Sequence, residues 1–231
     1  MQIYGWNKTT LLDYPEHVAA TVFTGGCNFR CPFCHNGELV LAPGAMEQVS
    51  EQEVWEHLKK RKGILDGVCI TGGEPTLQKD LVDFVKRLKD MGYLVKLDTN
   101  GYRPRILWSL LQEGLLDYVA MDIKASKENY GRAAGVDGID LSPIEESVGM
   151  LKSSHIDYEF RTTVVKGLHS IEEFDHIGSF LAGSRAYYLQ QFRETKQVIQ
   201  QGFEAFSKEE MEAMAKLCRK YIDKVCLRGV E

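Results

Sequence analysis

The strongest constraint on the fold is a repeated alternation of short apolar runs with helix-forming segments. Runs rich in apolar, β-branched and aromatic residues are typical of buried strands, and they cover residues 18–24, 68–71, 94–99, 118–124, 157–165 and 186–192. Ser-x-x-Glu sequences starting at residues 50, 142, 170 and 207 are typical helix starts, and amphipathic runs begin at Leu81 and Ile106. Strands that alternate with helices form a parallel sheet. A closed eight-stranded barrel usually takes about 250 residues, so about six units in 231 residues predict an α/β fold, a partial (β/α)6 TIM-like barrel.

Length and charge limit the function classes. The chain is long enough for one well-buried domain, with an extended lead-in at 1–17, a core at 18–200 and a C-terminal helical segment at 201–231. A net charge of −5, from 28 basic and 33 acidic side chains, offers no broad cationic surface for nucleic acid. We find no signal peptide and no apolar run of membrane-spanning length. We therefore expect a cytoplasmic protein that binds neither nucleic acid nor membrane.

Three cysteines lie in one loop after the first predicted strand, where residues 27–34 read Cys-Asn-Phe-Arg-Cys-Pro-Phe-Cys. Three close thiolates can hold an iron–sulfur cluster and leave a fourth position open. A structural zinc site would need a further ligand pair, a two-cluster ferredoxin would need a fourth nearby cysteine, and neither is present in the sequence. Inert buried thiols are the remaining alternative.

A Thr-Gly-Gly-Glu-Pro sequence at residues 71–75 ends the second predicted strand. Gly-Gly and Pro alone predict a turn. Glycines also let backbone groups approach a ligand, and a bound amino acid needs acceptors for its ammonium group. The loop is therefore either a turn or part of a binding site.

Charged residues alternate with apolar ones along three later strands. Lys96 and Asp98 share one face of the third strand, Asp122 and Lys124 one face of the fourth, and Glu159, Arg161 and Thr163 one face of the fifth. Interior charges are costly unless they are paired or coordinated. They predict either a structural ion-pair network or the polar lining of a binding site.

These motifs together resemble a known family. The Cys-x3-Cys-x2-Cys loop, with Phe33 before its third cysteine, resembles the cluster loop of the radical S-adenosylmethionine (SAM) enzymes. The Leu-Leu-Asp-Tyr-Pro run at residues 11–15 and the stretch 23–36 resemble the activating proteins of anaerobic ribonucleoside-triphosphate reductase. The resemblance extends over most of the chain and is least specific over its last forty or so residues.

The resemblance implies a site. Cys27, Cys31 and Cys34 would hold a [4Fe–4S] cluster and be catalytic. The residues implied to bind SAM are Phe33, Gly72, Gly73, Glu74, Asp98, Asn100, Asp122, Lys124, Arg161 and Gln191. Within that set the Gly-Gly-Glu motif would meet the methionine amino group, Lys124 the SAM carboxylate, and the two aspartates SAM and a monovalent cation. Phe33 would pack on the adenine, or alternatively anchor the loop in the core.

The resemblance also implies an activity. The enzyme would cleave SAM reductively to a 5′-deoxyadenosyl radical and generate a glycyl radical on a partner, anaerobic ribonucleotide reductase, with a flavodoxin or similar protein as electron donor. The sixth strand ends in Gln191 and Phe192, where the pyruvate formate-lyase activase would show histidine. Alternatives are an activase of another glycyl-radical enzyme, a radical SAM enzyme that modifies small molecules, and a non-catalytic iron–sulfur or zinc module.

Other polar features are assigned ordinary roles. Cys69 is expected in the core, and Cys218 and Cys226 in the C-terminal helical region. The basic run at residues 59–62 is expected to be a solvated helix end, with docking of an acidic electron donor as the alternative.

Overall fold

The architecture is an eight-stranded, mostly parallel sheet whose strands alternate with helices. The computed structural model describes residues 1–230. The strands are β1 Ile3–Thr10, β2 Ala19–Thr24, β3 Gly67–Gly72, β4 Leu94–Thr99, β5 Tyr118–Asp122, β6 Asp157–Val164, β7 Tyr187–Gln191 and β8 Val225–Arg228. The helices are α1 Gly37–Leu41, α2 Glu51–Lys60, α3 Leu81–Asp90, α4 Pro104–Gln112, α5 Tyr130–Ala134, α6 Ser142–Ser153, α7 Glu173–Phe180 and α8 Lys208–Cys218. The strands lie in the sheet in chain order, with β1 and β8 at its edges, so the sheet of residues 1–230 is not closed.

One compact unit comprises Met1–Asn28, Glu38–Ala120 and Ser154–Asp157. In it β1 pairs antiparallel with β2, and β2, β3 and β4 pair in parallel. The register of β2 and β3 places Thr24 opposite Gly72. Because the two strands end level, the loops that leave their carboxyl ends start side by side, as at the active-site end of α/β barrels.

The second compact unit comprises Phe29–Gly37, Met121–Ser153 and Tyr158–Glu231, of which the last residue is not described. Its strands β6, β7 and β8 pair in parallel. Its largest fully buried side chains are Tyr130, Tyr187, Phe160, Phe174 and Phe192. Glu159 is 1% exposed and is held by both guanidinium nitrogens of Arg228 at 2.5 and 2.7 Å, so its buried charge is paired.

All six strands predicted from the sequence are present, with ends within about two residues of the expected positions. The helix starts were predicted well, but the hydrogen bonds that the four serines make there differ from one helix to another. Ser207 forms the complete capping box with Glu210, and Ser170 exchanges hydrogen bonds with Glu173. Ser50 caps α2 without a side-chain bond, and Ser142 lies inside α6, its hydroxyl bonded to Asp140.

Two strands were not expected. β1 was interpreted as an extended lead-in because only its first two residues, Ile3 and Tyr4, are buried and no period-two alternation marks it. β8 is four residues long with one buried residue, Val225, and its run of three apolar residues is too short to indicate a strand. The expectation that Cys226 lies in a helical region is wrong, since it lies on β8, whereas Cys218 ends α8 and Cys69 lies buried on β3. Every helix within residues 1–230 is too short or too polar to cross a bilayer.

Candidate active site

The loops after β2 and β3 are joined backbone to backbone. The Gly73 nitrogen donates to the Thr24 oxygen at 2.8 Å, and the Glu74 nitrogen donates to the Gly26 oxygen at 2.8 Å. A Cβ on Gly73 would lie 2.0 Å from the Gly26 oxygen, and one on Gly72, whose φ is +115°, would lie 2.4 Å from the Thr24 oxygen. Only glycine fits at these two positions. The cysteine loop and the Gly-Gly-Glu loop are therefore fixed against each other at their starts.

The Glu74 carboxylate is buried and bound entirely by protein donors. It accepts hydrogen bonds from the Thr76 nitrogen at 3.1 Å and hydroxyl at 2.5 Å, from the Thr99 hydroxyl at 2.7 Å and from the Asn100 nitrogen at 2.7 Å. Burial raises the pKa of Glu74, and these hydrogen bonds oppose that rise. The side chain thus ties the Gly-Gly-Glu loop to the end of β4. A ligand ammonium that binds at this motif would therefore be bound by the backbone carbonyls of the motif.

Two asparagine amides adjoin Cys27. The Asn100 side-chain nitrogen donates to the Asn28 side-chain oxygen at 2.8 Å and lies 3.8 Å from the Cys27 sulfur. The Asn100 side-chain oxygen accepts from the Tyr102 nitrogen at 2.9 Å. The Asn28 side-chain nitrogen is buried and has no hydrogen-bond partner. Asn28 was not predicted as a site residue, although its position beside Cys27 was a signal that could have identified it.

Strand β4 places a charged pair beside a thiol of β3. Lys96, which is 3% exposed, forms an ion pair with Asp98, and its ammonium lies 3.6 Å from the Cys69 sulfur. The Cys69 sulfur lies 3.8 Å from Asp98. The alternation on β4 predicted that Lys96 and Asp98 share a face, but it did not indicate that Cys69 joins them.

In the second unit, backbone contacts secure the later half of the cysteine loop. The Cys34 nitrogen donates to the Cys31 oxygen at 3.0 Å, and the Cys34 oxygen accepts from the Ile199 nitrogen at 3.2 Å. The His35 Nε2 lies 2.6 Å from the Arg193 oxygen. Cys31 is buried, and burial raises the pKa of the Cys34 thiol. The segment after β7 thus holds this part of the loop in place.

A charged triad lies at the end of β5. The Asp122 carboxylate accepts from the Lys124 ammonium at 2.9 Å and from the Arg161 guanidinium. Burial opposes ionisation of Asp122, but the two cations outweigh it and hold its pKa well below the usual range. Burial likewise opposes the charge on Lys124, but Asp122 and the Cys31 thiolate raise its pKa above the usual value. Lys124 therefore places a permanent positive charge near Cys31.

Phe33 and Gln191 have protein partners within the second unit. The buried Phe33 ring packs edge-on against His169 at 6.4 Å between ring centres, as a loop anchor would. The sequence did not indicate His169 as a residue of the site. Its Nε2 lies 2.8 Å from the Lys124 oxygen. The Gln191 amide donates to the Phe206 oxygen at 2.8 Å. Whether either side chain meets adenine stays a prediction.

The residues fit an iron–sulfur cluster. None of the six cysteines forms a disulfide bond, the charge on Lys124 favours a thiolate at Cys31, and the residue after Cys27, Asn28, has a buried side-chain nitrogen without a hydrogen-bond partner. Within residues 1–230 no three His, Cys, Asp or Glu side chains converge as they would on a single metal ion. Each thiolate of a four-iron cluster binds its own iron, so such convergence is not required.

Comparison with known proteins gives the family. Residues 21–181 match the model of the Radical SAM superfamily. A Methanocaldococcus jannaschii protein provisionally named a glycyl-radical enzyme activating enzyme is 31% identical over 226 residues, which is 95% of this chain and 92% of that protein. A Thermococcus kodakarensis protein provisionally named a GTP 3′,8-cyclase is 37% identical over 158 residues, but the match covers 67% of this chain and 50% of that protein.

Solved structures agree on the fold. Streptococcus suis SuiB bound to S-adenosylmethionine superposes with a TM-score of 0.70 at 13% identity, covering 89% of this chain and 49% of SuiB. The predicted fold class, a partial barrel of the radical SAM type, is thus confirmed, with two strands more than expected. From the match over residues 21–181 and the end-to-end similarity to the M. jannaschii protein, this chain belongs to the radical SAM superfamily.

Proposed function

We propose that this chain is an activating enzyme that generates a glycyl radical on a separate partner enzyme, with anaerobic ribonucleoside-triphosphate reductase as that partner. The observation that carries the SAM-dependent chemistry is the backbone junction of the cysteine loop with the Gly-Gly-Glu loop through Gly26 and Glu74. The activase assignment is supported by the relative of that name, which matches over nearly its whole length, whereas the cyclase matches over half.

In this proposal Cys27, Cys31 and Cys34 hold a [4Fe–4S] cluster. The cluster and SAM supply, when bound, reductive cleavage of the sulfonium and a 5′-deoxyadenosyl radical that abstracts hydrogen from a glycine Cα. The protein binds, orients and shields these groups. Because Lys124 lies near Cys31, its positive charge favours the thiolate that a cluster ligand requires.

The SAM-binding roles follow from charge and geometry. Backbone carbonyls of the Gly72–Gly73 segment would accept from the SAM amino group, since the Gly73 and Glu74 nitrogens already donate to Thr24 and Gly26. Lys124 keeps N–H donors beyond the one that Asp122 accepts, so it can also bind the SAM carboxylate beside Arg161. Asp98 and Asp122 would help to hold SAM and a monovalent cation.

An electron donor and a compartment complete the proposal. Lys59, Lys60 and Arg61 are exposed at the end of α2, where they offer a positive surface to an acidic flavodoxin. Such docking predicts an electron-transfer rate that falls as ionic strength rises. Cysteines without disulfide bonds support a reducing compartment, and the cytoplasm is the proposed location.

The test is anaerobic. The protein is reconstituted with iron and sulfide, reduced, mixed with SAM and assayed for 5′-deoxyadenosine by chromatography, with Cys31→Ala as the inactive variant and Cys226→Ala as the matched control outside the loop. We expect product from the wild type and from Cys226→Ala, and loss of at least a hundredfold in Cys31→Ala. A glycyl-radical EPR signal on added anaerobic ribonucleotide reductase then tests the partner.

The outcomes separate the alternatives. Cleavage of SAM without a radical on the reductase, but with one on another glycyl-radical enzyme, would reassign the partner. Cleavage that depends on a small molecule such as a nucleotide would favour the cyclase-like class, to which the 37% identity over 158 residues points. A well-formed cluster that neither binds nor cleaves SAM would leave a non-catalytic iron–sulfur module.

A further inference from the structure

We propose that Asn28 and Asn100 form an amide relay that donates hydrogen bonds to the cluster at Cys27 and so sets its reduction potential. The inference rests on the cluster part of the proposed function, but neither on SAM cleavage nor on the partner. Both residues are positioning residues, since they would act on the cluster through its sulfur atoms. Contact of Asn100 with SAM stays a prediction, and its side-chain nitrogen lies 3.8 Å from the Cys27 sulfur.

The orientation of the Asn100 amide is fixed by the backbone. Its side-chain oxygen accepts from the Tyr102 nitrogen at 2.9 Å, which leaves the side-chain nitrogen on the opposite side. That nitrogen lies 2.8 Å from the Asn28 oxygen and 3.8 Å from the Cys27 sulfur. Since an amide nitrogen carries two N–H groups, it can serve both neighbours.

The orientation of Asn28 follows from that of Asn100. Because Asn100 presents a donor, Asn28 must present its oxygen, and its own nitrogen points the other way. The Asn28 oxygen also lies 4.0 Å from the Cys27 sulfur, so the bond to that sulfur comes from Asn100, and the Asn28 nitrogen would donate to a sulfide of the cluster. This nitrogen is buried without a partner among the described residues. A buried N–H group without an acceptor is costly because it has lost its hydrogen bonds to water, so native proteins rarely keep one unused.

The missing acceptor matches the chemistry of an iron–sulfur cluster. Cluster sulfides and cysteine thiolates carry negative charge and accept hydrogen bonds, and such bonds are one of the factors that set the potential. Donors stabilise the reduced cluster more than the oxidised one, because the reduced form carries more negative charge. Asn28 and Asn100 therefore raise the potential and ease reduction by a weak donor.

The arrangement also connects the cluster to the buried carboxylate. The Asn100 backbone nitrogen donates to the Glu74 carboxylate at 2.7 Å, and the Glu74 backbone nitrogen donates to the Gly26 oxygen at 2.8 Å. The amide is thus held by β4 and by the Gly-Gly-Glu loop rather than by the cysteine loop alone. Its position relative to Cys27 is pre-organised before any cluster is present.

The test uses the reconstituted full chain without SAM or partner. The variants are Asn28→Leu, which removes the unpartnered donor at nearly the same size, and Asn100→Ser, which keeps a short acceptor for the Tyr102 nitrogen. Asn7→Leu, on the exposed part of β1, is the matched control. The readouts are iron content, the midpoint potential from a redox titration followed by EPR, and the Fe–S stretching bands in the resonance Raman spectrum.

We expect both variants to bind iron as the wild type does and to be about tenfold harder to reduce, which for a one-electron couple is a fall of ~59 mV. In Asn100→Ser the cysteine Fe–S band should move to higher frequency because the Cys27 sulfur loses a hydrogen bond, and in Asn28→Leu the bands of the bridging sulfides should move instead. Unchanged potentials and bands in variants that keep their iron would overturn the relay.

A second measurement decides the case if the variants lose iron. Wild-type protein labelled with nitrogen-15 in its asparagines is reduced, and pulsed EPR is used to detect coupling between the label and the cluster. Coupling supports the relay, and its absence overturns it. Failure of SAM cleavage or partner activation leaves both measurements unaffected, so the two proposals fail separately.

Discussion

The Glu74 nitrogen donates to the Gly26 oxygen across 2.8 Å, so the residue before the first loop cysteine is hydrogen-bonded to the residue that closes the Gly-Gly-Glu motif. The two motifs that looked independent in the sequence are one backbone structure. A change in either loop is therefore expected to disturb the other.

Gly73→Ala tests this junction. Its Cβ would lie 2.0 Å from the Gly26 oxygen, which the backbone cannot accommodate without moving one loop. We expect less than a tenth of the wild-type SAM cleavage, together with reduced iron content after reconstitution. Gly149→Ala is the control, because Gly149 lies in α6 with open space around it and alanine there should stabilise the helix by about 0.5–1 kcal/mol. Wild-type cleavage by Gly73→Ala would show that the loops are not coupled.

Lys124→Met tests the role of the ammonium near Cys31. The variant keeps the length of the side chain but removes the charge that both Asp122 and a SAM carboxylate would meet. We expect at least a tenfold rise in the Kd for SAM, measured by calorimetry on the reconstituted protein, with most of the iron retained. Lys127→Met, which loses an exposed pair with Glu145 and a contact with the Phe180 ring, is the control. Equal SAM affinity in the two variants would remove Lys124 from the binding site.

Asp122→Asn tests the charged triad through pH. The folded-state pKa of Asp122 is lowered, so this group contributes stability above its unfolded pKa of about 3.9 and loses it as pH falls through the lower folded pKa. We expect Asp122→Asn to cost roughly 2–4 kcal/mol at pH 7, because Lys124 and Arg161 lose their shared partner. The difference from wild type should shrink as pH falls below about 4. Urea unfolding from pH 3 to 7 measures it, and a difference independent of pH would contradict the assignment.

Ser207→Ala tests the capping box of α8. The Ser207 hydroxyl accepts from the Glu210 nitrogen at 3.2 Å, and Glu210 accepts from the Ser207 nitrogen at 2.7 Å. Removing the hydroxyl should lower the free energy of unfolding by about 1 kcal/mol. Ser50→Ala should cost less, since Ser50 makes no side-chain bond at the start of α2. Equal losses in denaturant unfolding would mean that the hydroxyl bond at Ser207 contributes little.

Local patterns predicted the regular parts of this fold because each strand and helix carries its own signal. The apolar runs predicted the six central strands, and Gly92 and Gly114, with φ of +83° and +64°, follow the ends of α3 and α4. β1 and β8 could not be predicted, since an edge strand with few buried residues lacks an apolar run long enough to indicate a strand. The ends of the predicted runs were less certain, and Lys124 lies beyond the end of β5 rather than on it.

Motif spacing predicted the candidate site, but not the partners of its side chains. The face shared by Lys96 and Asp98 follows from strand alternation, whereas the thiol of Cys69 beside them depends on the register of β3 with β4. The hydrogen bonds from Thr99 and Asn100 to the Glu74 carboxylate likewise depend on β3 and β4 ending at the same level. No short-range sequence pattern predicts that level. The ligand roles of the cysteines and of the SAM residues stay predictions.

The backbone that secures Cys34 and His35 comes from Ile199 and Arg193, more than 150 residues later in the chain. During synthesis the amino-terminal part of a chain leaves the ribosome first, and folding starts there. The cysteines are therefore made long before the segment that fixes their loop. In the proposed function, insertion of iron and sulfide into a stable site would wait until β7 and the residues up to 199 have been translated, so maturation would be a late event in synthesis.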